Sequence, residues 1–224
     1  MPKLIELLNK NKLTLIVALP QNDLELATAA AGAGADALQL SINIGETSSF
    51  AVEKDNLIKI IKKSNIPVGL SIGGEGALDE EEIAEALKLG LDYVDLPAAA
   101  LPEPIKKSKK LAKVINLDSR FVLNDIHNLA SRGSEAIDAA IIPSNGHGSN
   151  LVVGDLQNYI AIIMSAGIPV IIPTQRSIKI SETAIIADTG AKGLMLTPVA
   201  TGTTAAHIER AVREFRAAID DLGE

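Results

Sequence analysis

Short runs rich in Ile, Val and Leu alternate along the whole chain with stretches of helical spacing. The runs are KLTLIVALP (12–20), DALQLSINIG (36–45), IPVGLSIGG (66–74), LDYVDLP (91–97), AKVINLD (112–118), Ile137 to Pro143, GIPVIIPTQ (167–175) and GLMLTP (193–198). Their length, β-branched content and bounding Gly, Pro or Asp predict eight strands. Between them lie an Ala-rich helix that Asn22 or Asp23 can cap, a helix around Asp55 to Ser64, and LDEEEIAEALKLG, whose glutamates suit a helix N-terminus. A short basic helix, a helix through Ala130, one over Tyr159 to Ala166, SETAIIADTG and a closing helix from Thr204 to Leu222 follow in turn. Ahead of the first strand, MPKLIELLNKNK reads as a short amphipathic helix.

Strict strand–helix alternation implies right-handed crossovers and a parallel sheet. Eight such units sharing 224 residues, about 28 each, suit a closed (β/α)8 TIM barrel forming a single domain over residues 1–224. A doubly wound nucleotide-binding sheet would carry a Gly-rich turn after its first strand; ALPQND stands there instead. GADA, GLDY, SEAIDA and GAKG precede strands two, four, six and eight, a repeat that belongs to the fold.

Composition narrows the chemistry. With two Tyr, three Phe and no Trp, the core has to be aliphatic, and the absence of Cys removes disulfides, thiolate metal sites and cysteine nucleophiles. A net charge of −7 without a basic run argues against nucleic acid; Lys106, Lys107, Lys109 and Lys110 read as one solvated helix face. No stretch is apolar enough for a membrane span and no cleavable leader is apparent, so a cytoplasmic protein is expected, and a compact aliphatic barrel is expected to form a homo-oligomer.

Polar residues set at period two within apolar strands point into a barrel, and here they gather toward the strand ends, where barrel active sites lie. Gln39, Ser41 and Asn43 share a face, as do Gly69, Ser71 and Gly73, Tyr93 and Asp95, and Asn116 and Asp118. Asp95 and Asp118, on adjacent strands, are costly inside a barrel unless paired or used, and two close carboxyls shift one another toward a general acid or base. In AAIIPSNGHGSN (139–150), His147 stands between Gly146 and Gly148 at a strand end, beside Ser144 and Asn145. Asp95, Asp118 and His147 form the candidate catalytic set. Ser41, Asn43, Ser71, Asn116, Ser144, Asn145, Thr174 and Gln175 are candidate substrate contacts. Arg176, Thr197, Gly202, Thr203 and Thr204 are candidate phosphate contacts near the start of the last helix. No lysine ends a strand, which removes a Schiff-base nucleophile. Asp95, Asp118 and His147 are the one set that could reach a divalent metal, and no metal is assigned.

PSNGHGS, AGIPVIIPTQRSI and GAKGLMLTPVATG resemble the ribulose-phosphate-binding barrel superfamily, closest in pattern to N-acetylmannosamine-6-phosphate epimerases. That resemblance implies a sugar phosphate held by loops seven and eight and a proton moved by a strand-end acid or base. NGHG also resembles the histidine loop of nitronate monooxygenases, which implies FMN beside His147. The expectation is an isomerase, epimerase or lyase acting by proton transfer on a small anionic metabolite. An FMN-dependent oxidoreductase and a non-catalytic binding or assembly barrel stand as alternatives.

Overall fold

A computed structural model describes residues 1–73 and 78–223; Gly74, the end of the third expected strand, lies outside them. Eight parallel strands close into a barrel in chain order. They are β1 (Thr14–Ala18), β2 (Ala37–Ile42), β3 (Val68–Ile72), β4 (Tyr93–Leu96), β5 (Ala112–Asn116), β6 (Ala136–Asp138), β7 (Val170–Pro173) and β8 (Gly193–Leu196). The helices are α1 (Lys3–Lys10), α2 (Leu24–Gly32), α3 (Phe50–Lys63), α4 (Glu80–Ala86), α5 (Glu103–Lys107), α6 (Leu123–Ile126), α7 (Val153–Ala166), α8 (Thr183–Asp188), α9 (Pro198–Thr201) and α10 (Ala205–Asp220). The (β/α)8 TIM barrel with a short N-terminal helix is therefore the observed fold.

Several boundaries differ from the expected ones, each for a local reason. Helix α3 starts at Phe50 rather than Asp55, because the Phe50 ring is buried and anchors its first turn. Helix α7 starts at Val153 rather than Tyr159, since the Asp155 carboxylate accepts the Val152 N–H at 3.1 Å and fixes the helix start. The largest difference is β6. Its apolar run extends to Pro143, yet the ladder ends at Asp138, because the Ile141 N–H turns back onto the Ala139 carbonyl at 2.8 Å. Asp23, not Asn22, caps α2.

The barrel interior is filled in layers of four side chains from alternate strands. Following the strand register round the barrel puts Ile16, Gly69, Val114 and Ile171 in one layer, Ala37, Tyr93, Ala136 and Gly193 in another. Small and large residues interlock there. The Tyr93 ring lies over Gly69, where a Cβ would come within 2.2 Å of it, and the Tyr93 hydroxyl donates to the Leu38 carbonyl at 2.9 Å. Helix α1 closes the amino end of the barrel with Leu4, Ile5 and Leu8, and the Asp92 carboxylate accepts the Lys3 and Leu4 N–H groups, each at 2.8 Å. That end is thereby filled with aliphatic carbon.

Candidate active site

Above the apolar layers the same register brings Gln39, Asp95, Asp138 and Met195 together, and one step higher Ala18, Ser71, Asn116 and Pro173. The lower of these polar layers holds two carboxyls on alternate strands β4 and β6. Both are fully buried, and Oδ1 of each has no hydrogen-bond donor among the described residues. Burial raises Asp95 from the ordinary carboxylate value to about 6, with Asp138, Gln39 and Asn116 placed to hydrogen-bond to it and pulling the other way. Burial, then the Asp95 charge beside it, pushes Asp138 well above the ordinary range. Two such carboxyls titrate as a unit, and both are pushed toward the protonated form.

Over this pair opens a cavity of about 390 Å³ at the carboxyl end of the barrel. Asp138 forms part of its floor, and Gln39, Ser41, Ser71, Asn116, Gln175 and Thr197 supply polar wall groups. His147 reaches the rim from the 3-10 turn Ser144–Gly146 that follows β6. Its Nε2 lies 3.0 Å from the Ile142 carbonyl. A carbonyl only accepts, so in the neutral ring Nε2 carries the hydrogen and Nδ1 is the basic atom.

The histidine loop is tied to the β7 loop by a compact set of bonds. Arg176 forms a two-point pair with Asp155, Nε to Oδ2 at 2.8 Å and Nη2 to Oδ1 at 3.1 Å. Its Nη1 donates to the Gly146 carbonyl at 3.0 Å and to the Ser149 hydroxyl. Gln175 Oε1 accepts the Ile142 N–H at 3.0 Å, and the Gly148 N–H donates to the Gln175 carbonyl at 2.8 Å. Gly146 is needed here, since a Cβ would sit 2.9 Å from the guanidinium.

The structure brings together some of the expected residues and separates others. Asp95, Ser41, Ser71, Asn116, His147, Gln175 and Thr197 meet at or beneath the cavity. Asp118 does not join Asp95. It lies exposed past the end of β5, held below the ordinary carboxylate range by the Arg120 guanidinium, and lines a separate groove under α6. The carboxyl that faces Asp95 is Asp138, which sequence reading passed over. Asn43 turns outward with a φ of 56°; Ser144 and Asn145 are exposed beyond the cavity wall. Thr174 is buried against Thr197, to whose N–H its hydroxyl accepts at 2.8 Å. Arg176 is occupied by Asp155 and the histidine loop. Thr204 caps α10 by accepting the His207 N–H, and Gly202 lines a different surface pocket from the barrel mouth, with Thr203 exposed beside it. Among the described residues, no group of three or more His, Asp or Glu is arranged to hold a metal ion. No helix of the described residues is long and apolar enough to cross a membrane.

No protein-family model matches the sequence, and no curated protein matches it. Many solved structures share the fold. A thiamine phosphate pyrophosphorylase from Pyrococcus furiosus aligns over 96% of this chain and 98% of its own at 18% identity, with a TM-score of 0.68. A Mycobacterium tuberculosis tryptophan synthase aligns over 97% and 96% at 16% identity, with a TM-score of 0.75. A mutant tryptophan synthase alpha-subunit from Pyrococcus furiosus covers 93% of this chain and 99% of its own at 11% identity and a TM-score of 0.67. The chain shares its complete barrel with these enzymes. At these identities the likeness is one of fold, the closed (β/α)8 barrel that the sequence pattern implied.

Proposed function

We propose that this barrel is an enzyme that moves a proton on a small hydroxylated carbonyl compound, as an isomerase, epimerase or lyase does. The observation that supports this is the Asp95–Asp138 pair beneath the mouth: two carboxyls buried in one layer, both pushed toward the protonated form, with no cation paired to them among the described residues. A carboxyl kept protonated at neutral pH can donate a hydrogen bond to a substrate oxygen on which charge develops, without giving the proton up. Asp138, on the cavity floor, has that place. Asp95, beside it in the same layer, favours the proton on Asp138 through its charge.

The His147 Nδ1 would take the proton from the carbon next to the carbonyl. The C–H electron pair then forms the enolate double bond, and the enolate oxygen accepts from Asp138. Return of the proton from Nδ1 to the same face of the neighbouring carbon, with the hydroxyl proton passing between the two oxygens, gives isomerisation. A solvent proton delivered to the opposite face, with Nδ1 releasing its own to solvent, gives epimerisation. FMN, which the histidine-loop resemblance implies, carries a phosphate dianion. Among the described residues neither Lys nor Arg lines the cavity, so the residues present do not fit a flavin phosphate.

The test is exchange of substrate C–H for deuterium in D2O, followed by proton NMR over a panel of ketoses, aldoses and hydroxy ketones. The reading requires that at least one compound exchanges and that Asp138→Asn and His147→Ala each abolish the exchange. Exchange that persists in Asp138→Asn, or none across the panel, would remove the proposal.

A further inference from the structure

We infer that the compound this cavity takes is uncharged, a free polyhydroxylated carbonyl compound rather than its phosphate ester. The inference builds on the proton-transfer reading of the same cavity and adds the charge of the ligand. A phosphate dianion is held in proteins by Arg or Lys, or by unpartnered N–H groups at a helix start. Among the described residues of this mouth, the cations and the N–H groups at the start of α9 are each either missing or already used. The described lining contains neither Arg nor Lys. Arg176, the cation nearest in sequence to the β7 end, is committed to Asp155, the Gly146 carbonyl and Ser149. Arg120 lines the neighbouring groove and is paired with Asp118. Residues 74–77 read GEGA and bring one carboxylate and no cation, whatever their placement.

The backbone at β8 gives the same answer. Helix α9 lies where many barrels bind phosphate, but its first residue, Pro198, has no N–H. The Val199 N–H goes to the Thr197 hydroxyl at 3.3 Å, and the Ala200 and Thr201 N–H groups go to the Thr197 carbonyl at 2.9 and 3.1 Å. What remains in the wall is neutral: the amides of Gln39, Asn116 and Gln175 and the hydroxyls of Ser41 and Ser71. Amides and hydroxyls both donate and accept, which matches the hydroxyl groups of a sugar. The volume, about 390 Å³, lies at the small end of ligand cavities, roughly 300 to 1,000 Å³. Below the ligand stand the two buried carboxyls, whose negative charge when ionised repels a dianion across a short, poorly screened distance.

Binding separates this inference from the reaction. The probes are free ketoses, aldoses and aldonolactones, their phosphate esters, and inorganic phosphate, titrated calorimetrically against the wild-type protein and against Asp138→Asn. At least one free compound should bind both proteins, and its ester should bind on the order of tenfold weaker or worse. Val199→Arg, which places a cation at an exposed position on the rim, should narrow or reverse that preference. An ester or inorganic phosphate that binds as tightly as the free compound would overturn the inference, and so would a panel in which no free compound binds. A free compound that binds without deuterium exchange would remove the proton-transfer reading and leave the charge assignment standing. Exchange that prefers the phosphate ester would do the reverse.

Discussion

A buried carboxyl without a cation destabilises the fold that contains it, so Asp95 and Asp138 have a thermodynamic signature apart from activity. Asp95 is raised from 3.8 to about 6 in the folded protein. The folded state therefore binds more protons than the unfolded chain between those values, and stability is lost as pH rises through them. At 1.36 kcal/mol per unit, Asp95 alone removes about 3 kcal/mol once the pH exceeds about 6, and Asp138, shifted in the same direction, extends the loss upward. The double variant Asp95→Asn, Asp138→Asn should lack most of this slope. Urea unfolding at about pH 4 and about pH 8 should show the variant gaining on the wild type as pH rises; parallel stability curves would sink the buried-pair description. Asp95 was legible in the sequence as a polar residue at period two behind Tyr93. Asp138 was hidden by strand length: a run read from Ile137 to Pro143 places it near the amino end, whereas β6 begins at Ala136 and ends at Asp138. Asp118 looked equivalent to Asp95, but β5 ends at Asn116 and the chain then turns to meet Arg120.

At the scale of elements, the loops after β6 and β7 behave as one body because Arg176 joins them to α7. Its pair with Asp155 is largely buried, and Asp155 also fixes the first turn of α7 through the Val152 N–H. Removing the guanidinium leaves an uncompensated carboxylate, so Arg176→Leu should cost about 3 to 5 kcal/mol, and adding Asp155→Asn should recover part of it. The same single change should speed amide exchange at Gly148 and Ser177, whose N–H groups bridge the two loops. Equal losses in the single and double variants would show that the ion pair is not what holds the loops. Sequence reading placed Arg176 and His147 at neighbouring strand ends but gave the arginine to a ligand. The deciding partner, Asp155, is 21 residues earlier in the preceding helix α7, and only the (β/α) crossover makes it a neighbour. Helix α9 was likewise invisible, since PVAT is a single turn with no hydrophobic period to read.

For the molecule as a whole, the strand count and closed topology follow from eight apolar runs at regular spacing, and the layering follows from register, which no single run reveals. The layers also separate stability from function. Leu8 of α1 packs at the closed end, with its Cδ2 3.1 Å from where a Cβ on Gly193 would lie, and it is fully buried. Leu8→Ala should cost about 2 to 5 kcal/mol through the cavity it leaves. Ligand affinity and turnover should stay unchanged, because interior layers intervene between α1 and the mouth. Gly69→Ala acts one layer below the carboxyls. Its new methyl would stand 2.2 Å from the Tyr93 ring, and Tyr93 shares β4 with Asp95 two residues further along. A rigid ring in a packed interior can move only by displacing its neighbours. This variant should therefore lose stability, by about 1 to 3 kcal/mol, and also lose turnover as Asp95 shifts relative to Asp138. Denaturant unfolding and the deuterium-exchange rate, measured on both variants, separate the two effects. If Leu8→Ala reduced exchange by as large a factor as Gly69→Ala, the interior would be transmitting strain along its whole length. The mouth could then no longer be treated as a site resting on an independent floor.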